Sequence, residues 1–163
     1  MAANETLFVF DALSNEPPTS NYAQIDTRNA QAVLDFDASA NESALFSGVV
    51  PSHFTANASI EVKLHFAMSS ATSGNVVWDV AVEKGGSGQN MDNDGFASTK
   101  SVTAAVSGTS GELVVGTVLL TNAEADGLAS GESVRFKITR DASNGSDSAT
   151  GDAELRYVEI REV

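Results

Sequence analysis

SIEVKLHFAMSSATSGNVVWDVAVEK, residues 59–84, alternates apolar and polar side chains with a period of two in both of its halves. That period marks half-buried strands and not a helix. Ile60, Val62, Leu64, Phe66 and Met68 share one face of the first half, and Glu61, Lys63, His65 and Ala67 share the other. In the second half Val76, Trp78, Val80 and Val82 oppose Asp79, Ala81 and Glu83. The intervening SSATSG has turn composition, with Gly74 able to take a positive φ. The pattern predicts a long antiparallel hairpin with one apolar and one wet face. An isolated hairpin is marginal in water, so a second sheet must cover this one.

Outward from that stretch, residues 6–12, 32–37 and 42–50 read as further strands, the last ended by Pro51. Residues 13–31 read as a long polar connection containing Pro17 and Pro18, which cannot donate to a sheet ladder. A loop of that length is expected to be functional or packed on a neighbour. Downstream, residues 85–95 read as a flexible connection, 100–106 as an alternating strand and GTSG at 108–111 as a tight turn. ELVVGTVLLT, residues 112–121, is apolar on both phases, so burial on both sides and a subunit contact are expected. Residues 122–129 suggest a single helical turn capped by Asn122. SVRFKITR at 133–140 alternates cleanly, and the last strand changes phase between Leu155 and Val158, which predicts a bulge or burial on both sides. Eight or nine strands result, and the expected fold is all-β: one antiparallel β-sandwich domain over residues 1–163, of jelly-roll type.

Composition narrows the function classes. A chain of 163 residues can bury a core without staples, and it has no cysteine to supply a disulfide, a thiol nucleophile or a thiolate metal ligand. Its 22 acidic residues against 9 basic ones give a net charge of -13. That charge argues against nucleic acid and against an anionic membrane as partners. No stretch approaches the roughly 20 apolar residues of a membrane-crossing helix. MAANETLFVF lacks a basic leader, so a soluble chain made in a cytoplasm is expected. The four Asn-x-Ser/Thr sites at Asn4, Asn41, Asn57 and Asn144 carry no weight without a secretory route.

Few residues invite chemistry. His53 and His65 are the two histidines, and no GxSxG elbow accompanies them, so the chain is not expected to be an enzyme. NMDNDG places Asn90, Asp92 and Asp94 at alternate positions before Gly95, as in the opening of an EF-hand loop. The twelfth position is Ser101 where a bidentate Glu is needed, so these three are weak Ca2+ candidates and no cofactor is expected. Asp141, Asp147 and Asp152 form a second acidic loop with the composition of an exposed turn. Trp78, Tyr22, Phe54 and Tyr157 could stack on sugar, but Trp78 lies on the apolar phase and reads as core.

Residues 27–37 (TRNAQAVLDFD), 42–54 (ESALFSGVVPSHF), 71–84 (ATSGNVVWDVAVEK), 136–144 (FKITRDASN) and 151–162 (GDAELRYVEIRE) together resemble the small jelly-roll structural proteins of tailed bacteriophages. The resemblance implies a virion component, foremost a capsid decoration or cement protein on the outer shell. It would be a homotrimer seated on the major capsid protein, without catalytic residues. Interface candidates are Pro17, Pro18 and Tyr22 in the early loop, and Val114, Val118 and Leu120. The rival is a tail-associated receptor- or carbohydrate-binding sandwich, which shares the fold class but would want exposed aromatic side chains.

Overall fold

The computed structural model describes residues 4–163. Their ten strands are β1 Thr6–Asp11, β2 Gln24–Arg28, β3 Gln31–Phe36, β4 Glu42–Val49, β5 Ile60–Met68, β6 Asn75–Gly85, β7 Lys100–Ala105, β8 Val114–Leu120, β9 Ser133–Arg140 and β10 Ala153–Glu162. One sheet runs β2-β3-β10-β5-β8, with β1 also paired to β10, and the other runs β4-β9-β6-β7. From β3 onward the chain changes sheet at every step except β6 to β7, which is the winding of a jelly roll.

The expected hairpin is not formed. β5 pairs with β8 and β10, and β6 pairs with β7 and β9, in opposite sheets. Alternation says which face of a strand is apolar; it does not say which strand lies alongside. Two fully apolar faces bury more surface against each other than side by side, so residues 69–74 carry the chain from one sheet to the other. Gly74 makes that crossing at φ +96, where an added Cβ would come 2.8 Å from the Ala149 nitrogen. Across the layer, Trp78 meets Phe66 and Phe36 edge-on, at centroid distances of 5.3 and 4.9 Å. Trp78 is fully buried, as its phase predicts.

The 13–31 connection is more ordered than its composition suggests. It contains β2, and its first half lies along the free edge of β4. Glu16 N donates to Leu45 O at 2.7 Å, Ala23 N to Ser43 O at 3.1 Å, and Ser43 N to Asn21 O at 2.8 Å. The Asn15 side chain accepts from Leu45 N at 3.1 Å. An edge strand needs such cover to satisfy its backbone, which explains a proline-containing polar segment at this place.

β8 is not buried on both sides. Gly116, Val118 and Leu120 face the core, with Val114 half-buried against it, while Leu113, Val115 and Leu119 are 56%, 49% and 52% exposed. Val118 and Leu120 are therefore part of the molecule's own interior, and the surplus apolar face is the opposite phase. The 122–129 segment is a series of turns whose cap is Thr121, not Asn122. Glu124 N donates to Thr121 Oγ1 at 3.3 Å and Thr121 N to Glu124 Oε2 at 2.8 Å, a reciprocal capping box.

The phase change in β10 is a bulge, with a register shift between Leu155 and Tyr157. Before it β10 pairs with β3, and after it the same edge pairs with β1. Arg140, which the sequence reading did not single out, continues the inward phase of Val134, Phe136 and Ile138 and is fully buried. Its guanidinium donates to Asp147 Oδ1 at 2.8 Å and Oδ2 at 3.1 Å, and to the carbonyls of Phe36 (3.3 Å), Ala149 (2.9 Å) and Gly151 (2.9 Å). All five N–H groups are used, so the charge is compensated and β9 is pinned to β3 across the sandwich.

Candidate functional site

The outer face of the β4-β9-β6-β7 sheet is floored by hydrogen-bonding side chains. The register sets them in rows across the strands. Ser43, Thr139, Asp79 and Ser101 form the first row: Ser43 and Thr139 hydroxyls are 2.7 Å apart, and Ser101 Oγ donates to Asp79 Oδ1 at 2.5 Å. Leu45, Lys137 and Ala81 form the second. Ser47, Arg135 and Glu83 form the third, where Arg135 pairs with Glu83 at 2.5 Å and Ser47 Oγ donates to Glu16 Oε1 at 2.5 Å.

Two loops raise this face into a trough. On one side stands the segment that covers β4, contributing Pro18, Ser20 and Asn21; on the other stands the 86–99 loop, contributing Phe96 and Thr99. The Phe96 ring lies over the second and third rows, 5.0 Å from the Arg135 guanidinium and 5.8 Å from the Lys137 ammonium. The first compartment holds about 580 Å³; a second, of about 620 Å³, lies beside Arg135, Glu83 and Met91. Both fall within the range of roughly 300–1,000 Å³ typical of ligand clefts. Of the interface candidates, Pro18 lines this trough, Pro17 is exposed, and Tyr22 is 45% exposed in a bridge to Ser43 at its margin. Phe96 was not singled out by sequence, because a lone Phe in a polar loop carries no periodic signal.

A separate acidic hollow of about 330 Å³ lies at the β2-β3 edge, lined by Asp26, Asp35, Asp37, Glu42 and Asp152. Burial, then the charges of Glu154, Asp26 and Asp152, push the Asp35 carboxyl up to about 7, and its Oδ1 is buried without a hydrogen-bond partner. Asp37 is shifted the other way, because the Ser39 hydroxyl and the Ser39 and Ala40 amides donate to it.

The Ca2+ candidates serve their own turn. Asn90 Oδ1 accepts from Asp92 N at 2.9 Å, and Asp94 Oδ2 accepts from Gln89 Nε2 at 2.7 Å. In the second acidic loop Asp147 binds Arg140, while Asp141 accepts from Ser143, Asn144 and Asn41. Among the described residues no three His, Cys, Asp or Glu side chains are placed to hold a metal ion. The histidines are apart: His53 lies 3.5 Å from Glu5 and His65 lies 3.8 Å from Glu159 on the outer face of the other sheet. Phe54 is buried, and Tyr157 is half-buried beneath Arg156, so neither joins Trp78 or Tyr22 in a stacking platform.

No family model and no curated protein matches the chain. Solved structures do. A family 35 carbohydrate binding module from an environmental isolate superposes with a TM-score of 0.55 at 15% identity, covering 96% of this chain and 93% of that one. The carbohydrate-binding module CBM36 in complex with calcium and xylotriose gives 0.52 at 18%, covering 94% and 99%. The C-terminal CBM6 of LamC, a marine laminarinase from Zobellia galactanivorans, gives 0.53 at 11%, covering 96% and 99%. At these identities the likeness is one of fold: an antiparallel jelly-roll sandwich shared from end to end. These three are carbohydrate-binding modules, and they lend nothing to the phage-decoration expectation beyond the sandwich itself.

Proposed function

We propose that this chain is a carbohydrate-binding β-sandwich that uses the outer face of the β4-β9-β6-β7 sheet. The observation that carries the reading is the trough, whose floor and walls present hydroxyls, amides, one carboxylate and one ammonium around an open cleft. Sugars are recognised by such convergent polar groups, since each hydroxyl both donates and accepts. Whole-length likeness to three carbohydrate-binding modules supports the same choice. Nothing in the trough resembles a nucleophile activated by a base, so the proposed role is binding without catalysis.

The test is a glycan array probed with the labelled chain, followed by titration of the best glycan against Asp79→Ala and Asn41→Ala variants. Binding that disappears in both supports the assignment. Binding that survives both moves the site off this face, and an array without hits removes the reading.

A second reading keeps the chain as a virion assembly component, and one feature favours it. β8 is a sheet edge with no charge and no proline in VVGTVLL, and it exposes Val115 and Leu119 beside Leu113. Undefended apolar edges invite association. Sedimentation of the purified chain would show a trimer if this surface serves assembly, and a monomer at every concentration would end that reading.

A further inference from the structure

We propose that the trough selects a glycan carrying a single anionic substituent, a carboxylate or a sulfate ester, and that Lys137 is the counter-ion for it. The inference rests on the carbohydrate-binding reading and adds the chemical class of the ligand.

Of the chain's four lysines, Lys63, Lys84 and Lys100 each have a carboxylate partner, at 3.6, 3.7 and 2.7 Å. Lys137 makes no such pair among the described residues, although acids outnumber bases 22 to 9. Its position accounts for this. Its neighbours on the adjacent strands are Leu45 and Ala81, both without charge. The acids along the floor have partners of their own, Asp79 accepting from Ser101 and Glu83 from Arg135. The Phe96 ring, 5.8 Å away, steadies the ammonium without neutralising it. Around it the donors of Asn21, Ser20 and Thr99 line the same compartment. An ammonium held half-buried in a cleft, with the Asp79 carboxylate of the same compartment outside ion-pair distance, is a place where an anion gains a charge-assisted hydrogen bond.

The surrounding field limits the ligand further. With a net charge of -13, the chain repels a densely charged polyanion at long range. A mostly neutral oligosaccharide with one acid group escapes that repulsion and still reaches Lys137.

An array carrying neutral, uronate-bearing and sulfated oligosaccharides tests this, followed by calorimetric titration of the best hit and its neutral parent. The acidic glycan should bind at least about tenfold more tightly than the parent, as expected for a charge-assisted bond. Lys137→Met should erase that ratio, weakening the acidic glycan at least about tenfold more than its neutral parent, and Lys137→Arg should retain it. Uronate hits against sulfate hits distinguish the two acid groups, and either supports the proposal. Equal binding of acidic and neutral glycans overturns it while sparing the carbohydrate-binding reading. Preference that persists in Lys137→Met also overturns it, and binding to no glycan ends both.

Discussion

Asp35→Asn should stabilise the protein at neutral pH and leave it nearly unchanged in mild acid. Asp35 sits on β3, directly opposite Glu154 of β10, with Asp26 and Asp152 close by. Burial first, and these carboxylates second, raise its pKa from the ordinary 3.8 to about 7. Between those values the unfolded chain has lost the proton while the folded chain still holds it. Stability from this group therefore falls as pH rises from about 4 to about 7 and stays lost above. The whole displacement would correspond to about 4 kcal/mol. Asp35 is only partly buried and the hollow is open to solvent, so screening reduces the expected gain to about 1–2 kcal/mol. An amide keeps the shape, drops the charge and can donate to Asp26. Urea unfolding followed by the fluorescence of Trp78, the sole and fully buried tryptophan, would compare variant and wild type at pH 4 and pH 8. A variant no more stable than wild type at pH 8, or one with an equal gain at pH 4, would refute the account.

Two further outcomes follow from the core. Arg140→Met should cost about 3–5 kcal/mol in denaturant unfolding, because it strands the buried Asp147 carboxylate and unties β9 from β3; a loss under about 1 kcal/mol would mean that the pin is dispensable. Leu119→Lys should change stability by no more than about 0.5 kcal/mol, whereas Leu120→Lys, one residue on, should prevent folding or cost more than about 4 kcal/mol, as read by thermal melts; similar values for both would contradict the phase of β8.

Strand positions were legible because alternation is a local property, and residues 60–68, 75–85 and 133–140 show it well. Pairing was not legible. The β5-β6 segment has the pattern of a hairpin and of two facing strands alike, and only the sum of apolar surface over the whole chain decides between them. β8 defeated the phase reading for a plain reason: with Val115 and Leu119 on one side and Val114, Val118 and Leu120 on the other, both phases are apolar. Arg140 did leave a signal. A charged residue in the fourth place of an inward phase requires a buried partner, and Asp147 stands seven residues later in the adjoining loop. The acidic hollow left none, because Asp26, Asp35 and Asp152 are far apart in sequence. The trough was hidden for a similar reason: its floor is ordinary strand polarity, and its walls depend on how two loops fold over it.

The placement of β10 sets the order in which the molecule can be made. The last of the ten described strands to emerge from the ribosome lies in the middle of its sheet, between β5 on one edge and β3 and β1 on the other. The other sheet can form as soon as β9 has appeared, but β1, β2 and β3 stay separated from β5 and β8 until β10 arrives. During synthesis the nascent chain therefore holds half a sandwich with its oily side uncovered, and a ribosome stalled before residue 153 would leave a species for chaperones to shelter, not a smaller folded protein.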